Sequence, residues 1–291
     1  MMDRMTVTAA TALSAAELAA LPPEEQLAYF RARRELAVVQ PLGSLALVNT
    51  QLVERPQEVW MASGTWAPRE DGGSGLVVTA VAADGVRVDG ELVDGTVVVR
   101  GKDDPAPSGV DFGGGRRGAV VSQDSGGYAL RVWDADSEGI RRFGSIDAFP
   151  YDPEWIVTAI WSENPAGTTL GFEHLKDDEE TPARDEVIPG SIRFTRDGVD
   201  YDLAAFKAGR ALQLVFADAT SGDTTYSVGR FLFVAPNPDG TITLDFNRAI
   251  LPPCAFSYAF NCPLPPKQNR FPFPVEAGEK NVLAKDGSPL H

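Results

Sequence analysis

The chain has 291 residues, of which 43% are hydrophobic and 23% are charged, so we expect a packed core and exclude a wholly disordered protein. Its formal net charge of -15 opposes binding to nucleic-acid phosphates and to anionic membrane surfaces. Apolar runs stay below the length of about 18 residues that a membrane span needs, so neither nucleic acid nor a membrane is a predicted partner.

The first 20 residues predict a cytoplasmic protein without a secretory signal. They contain Arg4 as the one basic residue, and Glu17 interrupts the apolar stretch early. In the cytoplasm both cysteines would stay reduced.

Two helices are predicted in a helical N-terminal segment, residues 1–43, after a loose tail that ends near Leu13. Ser14 and Glu17 form a capping-box pattern, which satisfies free amide donors at a helix start. Residues 24–39 have apolar side chains near one face, and Pro41 stops this second helix. We expect the segment to cover a sheet, with a lid or dimer arm as the alternative.

From Leu45 onward, apolar residues recur with a period of two, which is typical of strands. The pairs Asp84-Gly85, Asp94-Gly95 and Asp197-Gly198 predict hairpin turns. The pattern therefore predicts a mainly β fold of antiparallel barrel or sandwich lobes. The lobes are placed at residues 44–160 and 161–291, although residues 44–291 can also form one unit.

The stretch from Leu244 to Glu279, which we call the C-terminal coil, is rich in proline and in aromatic residues. Prolines remove amide donors, so the C-terminal coil cannot pair throughout as a central strand. We expect it to close the C-terminal lobe as a proline-rich loop that side chains hold in place.

Polar residues suited to ligand binding cluster near the ends of the later strands, where a rigid sheet presents its loops. The arginines among them carry planar forks that fit a carboxylate or a phosphate. The candidate ligand-binding residues are Tyr226, Arg230, Asn247, Arg248, Asn269 and Arg270. The competing interpretation is an internal network that pairs the arginines with Asp218, Asp245 or Glu279.

The candidate catalytic groups are Asp245, Cys254 and Glu279, of which a carboxylate would need burial to raise its pKa. Cys254 and Cys262 have neither the CxxC spacing nor a zinc-site spacing. Two packed thiols, a disulfide across the proline loop and one reactive cysteine all stay open. No metal site is predicted, because the only histidines, His174 and His291, lack a metal-ligand spacing, and no motif indicates a cofactor.

The segments PGSIRF, FADATSGDTTYSVGR, LDFNRAILPPCAFSYAFNCPLPPKQNR and VEAGEK together resemble DUF1684, a bacterial and archaeal family of unknown function. The stretch RVWDADSEGIRRFGSIDAFPYDPEWIVTA resembles it too, so the likeness covers residues 24–280, more loosely over the first hundred. The resemblance implies no established activity. It implies that the Tyr226–Arg230 turn and the C-terminal coil form one unit. In architecture alone, the second lobe is similar to split barrels that bind flavin, so flavin is the one cofactor to consider.

These observations predict a small anionic ligand in a pocket between the C-terminal β lobe and the C-terminal coil, and they leave open whether the protein is an enzyme. One alternative is a hydrolase or transferase that uses Cys254 or a carboxylate. Others are a structural or protein-interaction role and a flavin-binding protein. A small molecule is the predicted partner, and a homodimer stays open.

Overall fold

The computed structural model describes residues 13–123, 126–177 and 181–290. The predicted N-terminal tail up to residue 12, the acidic residues 178–180 and His291 lie outside the described residues. Among the described helices, none combines the length and apolarity that a membrane crossing requires.

The two predicted helices form at the N-terminal end. Helix α1 (Ala15–Ala20) begins with the capping box, in which the Ser14 N–H donates to the Glu17 carboxylate over 2.8 Å. Helix α2 (Pro23–Val38) begins with a proline, which suits a first turn where no amide donor is needed. Its Leu27 and Val38 are buried, as expected of a helix that covers other structure.

Ten strands form the N-terminal lobe in residues 44–123 and 126–134, the part of it that is described. They are β1 (Leu47–Val53), β2 (Gln57–Val59), β3 (Ala62–Pro68), β4 (Leu76–Ala80), β5 (Arg87–Val88), β6 (Glu91–Leu92), β7 (Gly95–Val99), β8 (Val110–Gly113), β9 (Arg116–Ser122) and β10 (Tyr128–Asp134). One sheet has the order β1-β10-β9-β8-β5-β6 and the other the order β2-β3-β4-β7. Valines and the fully buried Trp66 fill the space between them, so the lobe is a sandwich.

In the described residues from 138 onward, one α-helix and ten strands, together with short 3-10 turns, form the C-terminal lobe. They are α3 (Glu138–Arg142), β11 (Phe143–Ala148), β12 (Ile156–Glu163), β13 (Thr169–Phe172), β14 (Arg184–Val187), β15 (Gly190–Arg196), β16 (Val199–Ala208), β17 (Ala211–Phe216), β18 (Arg230–Val234), β19 (Thr241–Asp245) and β20 (Glu279–Ala284). Six strands have the order β18-β17-β16-β15-β12-β19, while β11 pairs with β20 and β13 with β14. A bridge between Pro236 and Ile242 brings β18 near β19, so the sheet is an almost closed barrel.

Every pair of strands in the described residues is antiparallel, which confirms the predicted fold class. Two of the three predicted hairpin turns are wrong. Asp197-Gly198 joins the paired strands β15 and β16, with φ angles of 52° and 76° that match the twist of a hairpin. Asp84-Gly85 and Asp94-Gly95 instead carry the chain from one sheet to the other. An Asp-Gly pair permits a tight turn, but it does not decide whether the flanking strands pair.

The C-terminal coil crosses the barrel and enters its core. The Phe271 N–H donates to Ala217 O over 2.8 Å, and the Ile250 N–H donates to Phe231 O over 2.8 Å. The rings of Phe271 and Phe273 stack with centroids 5.2 Å apart in the aromatic core of the lobe. The segment thus lies across other structure, as its proline content predicts.

Candidate functional site

Arg230, the first residue of β18, is fully buried and joins the barrel to the C-terminal coil. Its Nη2 donates to Asp218 Oδ2 over 2.7 Å and to Val275 O over 2.8 Å. Its Nη1 donates to the carbonyls of Ala277 and Glu279. Burial lowers the pKa of Arg230, and the neighbouring Asp218 opposes that shift. These bonds fasten the coil in place.

The side chains of two buried asparagines make hydrogen bonds to backbone groups. The Nδ2 of Asn269 donates to Ala204 O and to Val215 O, each over 2.8 Å, and its Oδ1 accepts from the Ala204 N–H over 3.0 Å. Asn269 thereby fills a gap between β16 and β17. The side chain of Asn247 makes two bonds of 2.9 Å with the backbone of Asp152 and holds the turn before β12.

The other two candidate arginines are more exposed. The Nε of Arg248 donates to Asp245 Oδ2 over 3.2 Å, and its guanidinium lies 5.7 Å from the ring of Phe30 on α2. The Nε of Arg270 donates to Pro265 O over 3.1 Å within the C-terminal coil. The two hydrogen bonds lie within the C-terminal coil, and the contact with Phe30 links the coil to α2.

Tyr226 lies beside the two cysteines, which are buried free thiols. Its hydroxyl is hydrogen-bonded to Cys254, and the Cys254 N–H donates to Cys262 Sγ over 3.3 Å. Burial raises the pKa of Tyr226, so the phenol stays protonated at neutral pH. The structure thus shows the cysteines packed and unbonded.

Glu279, the last residue of the C-terminal coil, is a buried carboxylate that bonds to α2 and to the coil itself. Its Oε1 accepts from Arg34 Nε over 3.1 Å, and its Oε2 accepts from the Leu251 N–H over 2.7 Å. Burial raises the pKa of Glu279, and the charge of Arg34 opposes this shift.

The raised pKa of Glu279 has a measurable consequence for stability. Between the value of 4.5 for exposed glutamate and the higher folded pKa, the folded state binds more protons than the unfolded state. The free energy of unfolding of the natural chain should therefore fall, relative to that of Glu279→Gln, as the pH rises through this interval. Urea unfolding of both proteins across a pH series measures the difference, and a difference that stays constant or grows with pH would contradict it.

The nine candidate residues thus form separate hydrogen-bonded groups around the C-terminal coil. Arg230 bonds to the carbonyl of Glu279 in one group, Asp245, Asn247 and Arg248 form another, and Tyr226 and Cys254 a third, while Asn269 and Arg270 each bond to partners of their own. Ligand binding or catalysis by these side chains stays a prediction, since the bonds that the structure shows are bonds within the protein.

A cleft of about 780 Å³ lies elsewhere, on the outer face of the six-stranded sheet of the N-terminal lobe. Val120 of β9 and Leu130 and Val132 of β10 face the sandwich core, so the alternate residues of these strands face outward. Basic and aromatic side chains among these outward residues line the cleft. They include Arg117 of β9 and Arg131 and Trp133 of β10.

Arg131 is the residue that sequence reasoning missed. Its Nε is buried without a hydrogen-bond partner among the described residues, and the same holds for Oγ1 of Thr50, which lies opposite it on β1. Its guanidinium lies 5.6 Å from the ring of Phe260 in the C-terminal coil. Burial lowers its pKa. The available signal was an arginine inside the otherwise apolar strand YALRVW.

Within the described ranges, no group of three or more His, Cys, Asp or Glu side chains is arranged to hold a metal ion.

The charged groups that face the cleft are mostly cationic. Arg87 and Lys102 at its rim join Arg131, while the rim residues Pro41 and Leu42 come from the segment that follows α2. Such a lining suits an anion that also carries an apolar body.

Comparison with known proteins places the C-terminal lobe in a family. None of the curated proteins compared matches the chain. A solution NMR structure of an uncharacterized protein from Haloarcula marismortui is 33% identical, and the match covers 48% of this chain and 77% of that one with a TM-score of 0.39. Residues 141–280 match the family model of DUF1684, described as a protein of unknown function. The chain therefore belongs to the DUF1684 family, through the lobe that contains the barrel and the C-terminal coil.

Proposed function

We propose that the protein is a binding module for a small amphipathic anion, and that the outer cleft of the N-terminal lobe receives it. The anionic group would meet Arg131 at the inner end, and the apolar body would lie along Trp133. The ligand class is the one that the sequence predicts, a small anion. The proposed site differs from the predicted one, because it lies in the N-terminal lobe beside Phe260 of the C-terminal coil and not in the C-terminal lobe.

The charges of the cleft support an anion. Four cationic residues line it, Arg87, Lys102, Arg117 and Arg131, against two acidic residues, Asp89 and Asp111. Both carboxylates already have partners, because Asp89 pairs with Arg100 over 2.8 Å and Asp111 pairs with Arg117. In a chain of net charge -15 this is a local excess of positive charge. A concave surface focuses such a field and raises the local concentration of anions.

The apolar part of the lining supports a ligand larger than an inorganic ion. Trp133, Val121 and Ala119 form the floor, and Leu42 at the rim is 64% exposed. An aromatic floor with a few convergent polar groups is the usual composition of a small-molecule site.

The observation that carries the proposal is the buried Nε of Arg131, for which the described part of the chain supplies no hydrogen-bond partner. A buried donor without an acceptor costs about 1–3 kcal/mol, so an acceptor that enters the cleft removes a penalty already present in the fold. The planar guanidinium presents its donors in a fork that matches a carboxylate, a sulfonate or a phosphate.

Anilinonaphthalene sulfonate is a suitable probe, because it joins an aromatic body to an anionic group and its fluorescence rises in apolar surroundings. We expect the natural chain to bind it, and Arg131→Gln to bind it about tenfold more weakly or worse, which corresponds to roughly 1.4 kcal/mol. The uncharged phenylnaphthylamine, which lacks the sulfonate, should bind both proteins equally. Fluorescence titration at fixed ionic strength measures both affinities.

Arg210→Gln serves as the matched control, since Arg210 is exposed in the turn between β16 and β17 of the other lobe. It should bind the sulfonate like the natural chain. Lys102→Gln tests the rim without disturbing the sheet, and we expect a loss of about two- to threefold from a solvent-exposed charge. Equal binding by the natural chain and Arg131→Gln, or an equal loss in Arg210→Gln, would overturn the proposal.

A further inference from the structure

The two cysteines of the chain meet in a buried contact that the proposed ligand site does not use. Cys254 and Cys262 are 1% and 4% exposed, and they are the only cysteines in the sequence. The Cys254 N–H donates to Cys262 Sγ over 3.3 Å, and the two thiols are hydrogen-bonded to each other. Eight residues of sequence separate them, so a bond between them would close one short loop.

Two side-chain donors converge on the sulfur of Cys254. It accepts hydrogen bonds from the Cys262 thiol and from the Tyr226 hydroxyl. These donors, the Cys262 thiol first, lower the pKa of Cys254, whereas its place as donor raises the pKa of Cys262. A thiol with stabilised negative charge is the one that attacks an electrophile, and a neighbouring thiol can attack the resulting sulfenic acid as its proton passes to the departing oxygen.

We propose that Cys254 and Cys262 form a redox site that a peroxide converts into a disulfide and that a thiol reductant opens again. In the first step Cys254 sulfur attacks one peroxide oxygen, the O–O bond breaks, and a sulfenic acid and one water form. In the second step Cys262 sulfur attacks the sulfenic sulfur, the S–O bond breaks, and the S–S bond and a second water form. Two thiols lose two electrons and the peroxide gains them.

The loop that this bond closes lies at the contact between the two lobes. Ser257 Oγ donates to Leu47 O at the start of β1 over 2.6 Å, and the ring of Phe260 lies against Arg131. A disulfide between Cys254 and Cys262 would lower the conformational entropy mainly of the unfolded chain. It would also restrain the loop that makes these two contacts. The oxidised protein is thus expected to melt at a higher temperature.

The test uses the full reduced chain and millimolar hydrogen peroxide under native conditions. We expect the intact mass to fall by two hydrogen atoms and both thiols to become resistant to alkylation together, with recovery after dithiothreitol. Trypsin cleavage after Arg248 and Lys267 leaves both cysteines in one peptide, so the mass of that peptide assigns the bond. The melting temperature should rise by a few degrees.

Single variants distinguish a redox pair from two inert thiols. In Cys262→Ser, dimedone should trap a sulfenic acid on Cys254, whereas in Cys254→Ser the remaining Cys262 should label at least several-fold more slowly. Circular dichroism shows that each variant is folded before labelling. The proposal is overturned if peroxide leaves both thiols of the folded natural chain alkylatable, if it links two chains instead, or if Cys262 labels as fast as Cys254.

Discussion

Replacing Arg230 by methionine is expected to lower the free energy of unfolding by about 3–5 kcal/mol, because the change leaves a buried carboxylate without its counter-charge. Methionine occupies a similar volume but cannot donate to Asp218 Oδ2, which lies 2.7 Å from Arg230 Nη2. The carbonyls of Val275 and Ala277 also lose their donor. A loss of this size is a large part of the roughly 5–15 kcal/mol that holds a typical domain folded.

Urea unfolding followed by tryptophan fluorescence measures the effect. The matched control is Arg193→Met, which removes an exposed pair with Asp202 of 3.0 Å and should change stability by about 1 kcal/mol or less. If Arg230→Met does not fold, the double variant with Asp218→Asn removes the unpaired charge and should recover soluble protein. A single variant as stable as the natural chain would show that the buried pair does not fasten the coil.

Asn269→Asp should destabilise the barrel by about 3 kcal/mol or more, although the two side chains have nearly the same shape. The amide Nδ2 of Asn269 donates to two carbonyls, Ala204 O and Val215 O. An aspartate offers only oxygen there, so two buried acceptors would face an anion and lose their donor. The energetic cost follows from the buried charge and the lost donor, because the packing volume is unchanged.

The same unfolding experiment at neutral pH tests this substitution. Asn281→Asp is the control, since Asn281 makes one exposed bond of 3.0 Å to Thr224 O and its loss should cost about 0.5 kcal/mol or less. The stability of Asn269→Asp should partly recover at acidic pH, where a protonated carboxyl regains one donor. Equal stability of the two variants at neutral pH would mean that the amide does not complete the ladder between β16 and β17.

The fold class could be predicted because strand periodicity and turn residues are local signals. The period of two beginning near Leu45 identifies the first strands, and the prolines of the C-terminal coil exclude a central strand. The grouping of strands into sheets could not be derived in this way. Asp84-Gly85 and Asp197-Gly198 are the same dipeptide, yet only the second one joins paired strands.

The contacts of the candidate residues depend on long-range pairing, which a single sequence does not encode locally. The competing interpretation, an internal network, names Asp218, Asp245 and Glu279 as arginine partners. The structure pairs Asp218 with Arg230 and Asp245 with Arg248. Glu279 pairs with Arg34 of α2, which is 245 positions away in a helix predicted to be a cover, with a lid or dimer arm as the alternative. Arg131 was missed for the same reason, since its exposure to a cleft depends on neighbouring strands and on Phe260.

The hydrogen bonds of Arg230 also constrain when the barrel can finish folding during synthesis. The carbonyl acceptors of these bonds, on Val275, Ala277 and Glu279, leave the ribosome some 45 residues after Arg230 itself. Until they emerge, Arg230 of the nascent barrel lacks three of its four side-chain hydrogen bonds, and its pair with Asp218 stays open to water. A premature stop codon before Val275 would therefore yield a polypeptide that cannot complete its barrel, and that quality-control proteases would recognise by its unfinished edge.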